Sequence, residues 1–429
     1  MPTPAPPPVP PVHCKAPAEE PFILAAMLSL LGATLWTALR PELLLQFFYS
    51  PEHLALVHVL TLGFLTSIIM GVLLRVGPLA LGASQRSPWL ARAQAALFLL
   101  GAAGMVAHFA LGRWAGLSWS ALCVLAAALV QVVNLSAVFA RAARGDLPAL
   151  HVAAALVHLV LAASLGTIYG CLRAWGADYG FGTAEVPMLS RLGAHLLLAA
   201  GGWVGTMILG LQLKLLPDSA GPRPLVLLRF FLWQAGVLGG AACLLGGLPG
   251  LPWALGAVAL AAALQLMGPL ARLRRQRGSA GELVALLLLL AAAVAALLES
   301  LDLPADGALR LRLVHATGYA LLLGFGPLTV ASAATKLFPL FVWEERFAAD
   351  LGRKPVPPVA ALASPRLRDA AVGTLTLGLL VTAGAIVAEH EVLAAVGAWV
   401  VLAGAALLVT GFARTASWAL LKREWKGRS

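Results

Sequence analysis

Apolar and polar positions alternate along this chain in long blocks rather than residue by residue. Apolar stretches recur at roughly 22–39, 54–76, 90–112, 116–140, 148–172, 191–216, 225–246, 252–271, 281–299, 313–341, 368–388 and 392–420, with proline, glycine and charge between them. Each block is close to the roughly 20 apolar residues a helix needs to cross hydrocarbon. None has the period-two alternation of a lipid-facing barrel strand, so helices are the remaining spanning solution. The pattern predicts an all-α integral membrane domain of twelve transmembrane helices over 21–421. The segment before it, MPTPAPPPVPPVHCKAPAEE (1–20), is proline-rich and lacks the basic-then-apolar order of a signal peptide. It is expected to be a disordered cytoplasmic tail, and 422–429 a basic cytoplasmic tail.

Composition agrees. Hydrophobic residues fill 60% of the 429 positions, charged residues 11%, and mean hydropathy is +0.88; a soluble chain carries about 25% charge. The charge is also distributed with a purpose. With the N-terminus inside, only Arg40, Arg113, Arg173, Arg191, Arg310 and Arg312 of the 30 basic residues fall on the outer side, leaving 24 inside. That is the positive-inside asymmetry. It predicts a multi-pass protein of a bacterial-type inner (plasma) membrane with both termini cytoplasmic. It also accounts for the net charge of +11 through anionic lipid of the bilayer, so nucleic acid is not invoked as a partner. The longest inner loop, about 342–367, contains PVPPV and is expected to be partly extended.

Three of the helices repeat one another. Segments 2, 6 and 10 align on a glycine–aromatic pair: Gly63-Phe64, Gly202-Trp203 and Gly324-Phe325. Eight residues on stands a small residue (Gly71, Gly210, Ser332), twelve on a base (Arg75, Lys214, Lys336), and fifteen on a proline (Pro78, Pro217, Pro339). Small residues allow close helix approach in lipid, the base reaches the inner surface, and the proline ends the helix. The common tendency of membrane helices to end in a base and a proline does not explain identical spacing in three helices, each four segments from the last. The chain therefore reads as three diverged four-helix units in pseudo-threefold order.

Each repeat helix carries a histidine near its outer end: His58, His195 and His315. Neutral imidazole ligates haem iron and copper, and ionisable groups within a membrane are functional candidates; the plain alternative is a histidine bonded to a neighbouring helix. Counted from the shared glycine, His58 lies five residues before it, His195 seven and His315 nine. At about 100° per residue, His58 and His315 share a face and His195 points away. A bis-histidine haem b between segments 2 and 10 follows as the expectation, with His195 in a second site or none. His158, near mid-membrane on segment 5, and His108, near the outer end of segment 3, are weaker metal candidates. His53 and His390 are expected in outer loops, solvated. Tyr319 shares the face of His315 and is read either as tuning a ligand or as an interface anchor.

Twelve helices, the threefold order and the outer-end histidines of helices 2, 6 and 10 resemble subunit I of the haem–copper oxidases and the NnrS-like membrane haem proteins related to them. The resemblance covers most of the hydrophobic chain as architecture, and motif detail only in segments 2, 6 and 10. It implies His58 and His315 as low-spin haem ligands and His195 as a copper ligand. The departures are specific. Segment 7 (PLVLLRFFLWQAGVLGG) has no histidine pair, helix 10 offers His315 alone, and Ala199 stands where a cross-linked tyrosine is expected. A complete oxygen-reducing centre is therefore not expected. Nor is proton pumping, since Glu282, Glu299, Asp302 and Asp369 lie at segment ends and the mid-membrane amides Gln131 and Asn134 make no proton path. What remains is a b-type haem protein in electron transfer or in binding a diatomic such as nitric oxide, with a periplasmic or membrane redox partner. The alternative is a cofactor-free transporter or an assembly subunit on the same scaffold.

Overall fold

The computed structural model describes residues 19–81, 85–140, 145–176, 186–215, 221–273 and 280–420. His13 and Cys14 in the N-terminal tail, Pro217, three of the four arginines that follow the eighth segment and the C-terminal basic tail lie outside them. Among the described residues all regular structure is helical, and twelve helices are long and apolar enough to span a bilayer. We number them α1 (Glu19–Leu39), α2 (Pro51–Pro78), α3 (Pro88–Ala110), α4 (Leu117–Phe139), α5 (Leu147–Trp175) and α6 (Met188–Lys214). The second half comprises α7 (Arg223–Gly246), α8 (Leu251–Leu270), α9 (Gly281–Ser300), α10 (Gly307–Ala333), α11 (Pro365–Ala388) and α12 (Glu391–Leu420). The chain is a multi-pass membrane protein. Its starts follow local chemistry. Ser50, Ser87, Asp146, Asp306 and Ser364 each cap a helix by accepting a backbone N–H, and proline follows within the first turn at four of the five.

α2, α6 and α10 form the centre. The Trp203 indole N–H of α6 donates to Thr66 Oγ1 of α2 at 3.1 Å, and Gly326 of α10 lies against Leu65 of α2. The other nine helices close a ring around them, each touching the next and α12 returning to α1. Water offers no driving force between helices in lipid, so this ring depends on close packing. Gly378 faces the Val401 backbone and Gly404 faces Leu375 at the α11–α12 seam; Gly101 faces the Ser120 carbonyl at the α3–α4 seam. Amides reinforce the second seam: Gln94 Nε2 donates to Gln131 Oε1, Asn134 Nδ2 donates to Gln85 Oε1 at 3.2 Å, and Asn134 Oδ1 accepts Ser87 N–H at 2.9 Å.

The three central helices share a feature that their sequences do not announce. Each widens into π-helix around its glycine–aromatic pair: Val59–Thr66 in α2, Leu197–Gly205 in α6 and Leu321–Phe325 in α10. In two of them a hydroxyl secures the wide turn, Ser67 Oγ to the Leu62 carbonyl at 3.0 Å and Thr206 Oγ1 to the Gly201 carbonyl at 3.4 Å. Short π segments are uncommon and occur often at functional sites.

The repeat also extends to a second helix in each unit. Gly63 and Gly71 of α2 face Ser29 and Phe22 of α1; Gly202 and Gly210 of α6 face His158 and His151 of α5; Gly324 and Ser332 of α10 face Leu288 and Gly281 of α9. The partners are seven residues apart each time, which is two helical turns on one face. The three units thus share a two-helix contact in common register. α10 continues beyond its apolar part to Phe347, so the first residues of the loop expected at 342–367 are helical. Residues 351–358 are not, and Trp343 Nε1 donates to the Pro357 carbonyl at 2.6 Å across them.

Candidate metal centre at the histidine end

Four histidines gather at one end of the central helices, and they pair differently from expectation. His53 and His315 are in contact, with ring centroids 4.7 Å apart and planes at 72°. Phe48 closes one side, 6.3 Å from the His315 ring. His53 Nδ1 and His315 Nε2 are both buried without a hydrogen-bond partner. Burying an imidazole nitrogen unpaired costs free energy, and here two such nitrogens belong to rings in contact.

His53 therefore does not lie in a solvated loop. Ser50 caps α2 and Pro51 occupies its first position, so the helix starts three residues earlier than the apolar block indicates and takes His53 into its first turn, at 7% exposure. The serine–proline signature was present in the sequence and identifies that start.

His58 has a ring contact of its own, distinct from the His53–His315 pair. It stacks on Phe109 of α3, with centroids 4.7 Å apart and an interplanar angle of 29°, and it lies within electrostatic range of His195. The common face counted for His58 and His315 assumed one angle per residue, whereas a π segment begins between each histidine and its reference glycine. Each wide turn takes in about one extra residue, which rotates whatever precedes it by about 100°, and the three π segments differ in length.

His58 and His195 are prepared alike. His58 Nδ1–H donates to the Leu54 carbonyl at 2.7 Å, and His195 Nδ1–H donates to the Ala162 carbonyl at 3.0 Å. Because a carbonyl only accepts, both rings are fixed with Nε2 as the lone-pair nitrogen. The Gly166 backbone of α5 packs directly on the His195 ring, and Tyr169, 6.3 Å from that ring, donates its hydroxyl to the Arg191 carbonyl at 2.7 Å.

The remaining candidates divide. His108 Nδ1–H donates to the Arg113 carbonyl at 2.7 Å and its ring fills the space beside Gly116, so it locks the α3–α4 turn. His158 is buried at mid-helix, with Nε2–H donating to Gln234 Oε1 of α7 at 2.6 Å, and Gln234 Nε2 donating onward to Thr206 Oγ1 at 3.1 Å. His158 Nδ1 is left buried without a partner. Tyr319, one turn after His315, turns to α11, where its hydroxyl faces Thr382 without completing a hydrogen bond. His390 is exposed between α11 and α12, and its Nδ1 accepts the Leu393 N–H at 3.3 Å.

Ligand number limits what this end can hold. Among the described residues no three His, Cys, Asp or Glu side chains come together as a metal cage. No family model matches the chain, and no curated protein matches it.

Proposed function

We propose that this membrane protein is a transition-metal protein acting in electron transfer or in binding a diatomic such as nitric oxide, with its metal between His53 and His315. The observation that carries this reading is the pair of buried, unpartnered nitrogens on rings 4.7 Å apart. Metal–imidazole bonds are about 2.0 Å. A haem iron between two histidines places both bonds in line and holds the ring centroids roughly 6 Å apart or more by that bond length, so this pair does not fit a haem sandwich. It fits a bent two-imidazole site, and imidazole suits copper, zinc and iron. Copper is the redox-active choice with few ligands, and the open positions are where a diatomic or a redox partner's electron would enter. The same chemistry moves the copper expected at His195 to this pair.

A b-type haem is the second reading, favoured by one observation. His58 and His195 each hold Nδ1 on a backbone carbonyl and leave Nε2 free, which is how metal-ligating histidines are oriented. A haem here would supply the electron carrier, and His58 and His195 would hold it in place of His58 and His315. The resemblance to oxidase subunit I supports the class, and the missing ligand positions argue against oxygen reduction to water.

Metal analysis and a reduced-minus-oxidised spectrum on the purified protein test both readings. One copper equivalent lost in His53→Ala and His315→Ala supports the first; a Soret band lost in His58→Ala and His195→Ala supports the second. Neither metal nor haem after expression with both supplied leaves a cofactor-free transporter or assembly subunit.

A further inference from the structure

At the opposite end of the central helices lies a half-open cavity of about 130 Å³. Its walls are apolar, including Ile68, Val72, Leu135, Met207, Val330 and Phe338. Voids larger than a water are few in protein interiors, and apolar ones stay dry and take apolar guests.

Only two lining residues carry polar side chains, Thr329 and Lys214. Thr329 Oγ1 is buried without a partner. Lys214 is one of the three bases at the repeat position, and its circumstances differ from those of Arg75. Arg75 meets Glu19 at 3.1 Å and Glu344 at 3.4 Å. Lys214 has no carboxylate partner among the described residues and borders the cavity instead. The cavity thus has one buried, unsatisfied hydroxyl on its wall and, at its edge, an exposed cation with no carboxylate partner among the described residues.

We propose that this cavity binds the acyl chain of an anionic lipid, whose charged head pairs with Lys214 and whose ester or carboxyl oxygen accepts the Thr329 hydroxyl. The walls match a hydrocarbon chain, and the cation selects a negative head over a zwitterionic one. An anionic phospholipid and a free fatty acid share this chemistry. The site lies at the end remote from the histidines and is independent of any metal there.

Native mass spectrometry on the delipidated full-length protein distinguishes the outcomes. Dioleoyl phosphatidylglycerol, dioleoyl phosphatidylcholine and oleate are titrated separately. The expected result is one equivalent retained of phosphatidylglycerol, of oleate, or of both, at a collision energy that strips phosphatidylcholine; which one is retained identifies the source. Lys214→Gln should abolish the preference for the anionic head. Gly77→Leu should weaken retention at least tenfold, since a Cβ at Gly77 meets only Leu135 at 3.9 Å and the larger side chain grows into the void. Ala333→Leu on the facing helix is the second filling variant and serves if the first does not fold. Equal retention of phosphatidylcholine by the wild type, no retention of any lipid, or retention unchanged by cavity filling overturns the proposal.

Discussion

The α1–α2 and α5–α6 contacts have the same register and opposite chemistry. In the first, Gly63 and Gly71 admit Ser29 and Phe22; in the second, Gly202 and Gly210 admit His158 and His151. The third unit fills the same positions with Leu288 and Gly281. A glycine in the central helix therefore specifies that something packs closely there, and leaves the identity of the guest to the outer helix. Only the second unit places imidazoles in these two positions, and there a polar chain runs from His158 through Gln234 to Thr206. The scaffold is common to three units, whereas imidazoles at the paired glycines belong to one.

The comparison breaks most sharply at the glycines. In Gly202→Ala the new methyl would lie 2.5 Å from a His158 ring carbon, and that ring is held by Gln234. Overpacking of this kind costs about 1–3 kcal/mol, and the upper end is expected, read as a lowered unfolding midpoint in detergent. In Gly324→Ala the obstacle is the end of Leu288, at 2.5 Å, which can rotate away, so about 1 kcal/mol is expected. Equal effects in the two variants would show that the guest's rigidity does not matter. Combining Gly202→Ala with His158→Ala should recover part of the loss; no recovery would place the strain elsewhere.

Next comes the polar chain itself. His158→Phe leaves the buried Gln234 amide oxygen without its donor and should cost about 1–3 kcal/mol, whereas Ser29→Ala, at the corresponding place in the first unit, should fall within about 0.5 kcal/mol. Trp203→Phe removes the indole donor to Thr66 and should cost about 1 kcal/mol, which measures the tie between the second unit and the first. The smallest effect is at the surface of the histidine end. The Arg40 side chain hydrogen-bonds Glu42 and holds that carboxyl below its ordinary range. A lowered carboxyl contributes stability above its ordinary value and loses it as pH falls through the lowered one. Arg40→Gln should flatten that acid limb of the unfolding curve and leave the midpoint at pH 7 nearly unchanged.

Much of this architecture was legible in the sequence because lipid imposes simple rules. The twelve spans follow from length and apolarity, and the alignment of Gly63, Gly202 and Gly324 identified the three helices that occupy the centre. The extension to Phe22/Ser29, His151/His158 and Gly281/Leu288 was not legible, since the outer helices conserve a spacing and not a residue type. Two features of the histidine end were not legible for separate reasons. His53 escaped because apolarity marks where a helix enters hydrocarbon and capping marks where it begins, and the Ser50-Pro51 pair belongs to the second signal. The faces of His58, His195 and His315 were assigned with one angle per residue, which holds in α-helix and fails across a π segment. The cavity beside Lys214 depends on seven helices meeting imperfectly, and no single segment encodes that.

The π segments carry a consequence of another kind. They stand between the histidines and the close-packed glycines in all three central helices, so they work as a phase adjustment between the two halves of the bundle. Deleting one residue inside a π segment would return it to ordinary α-helix and turn the histidine of that helix by about 100°, while everything beyond the glycine kept its neighbours. Single-residue insertions and deletions, usually ruinous inside a membrane helix, become here a means of changing which histidines meet without rebuilding the scaffold. One end of the bundle can then be rewired over evolutionary time while the other stays in register.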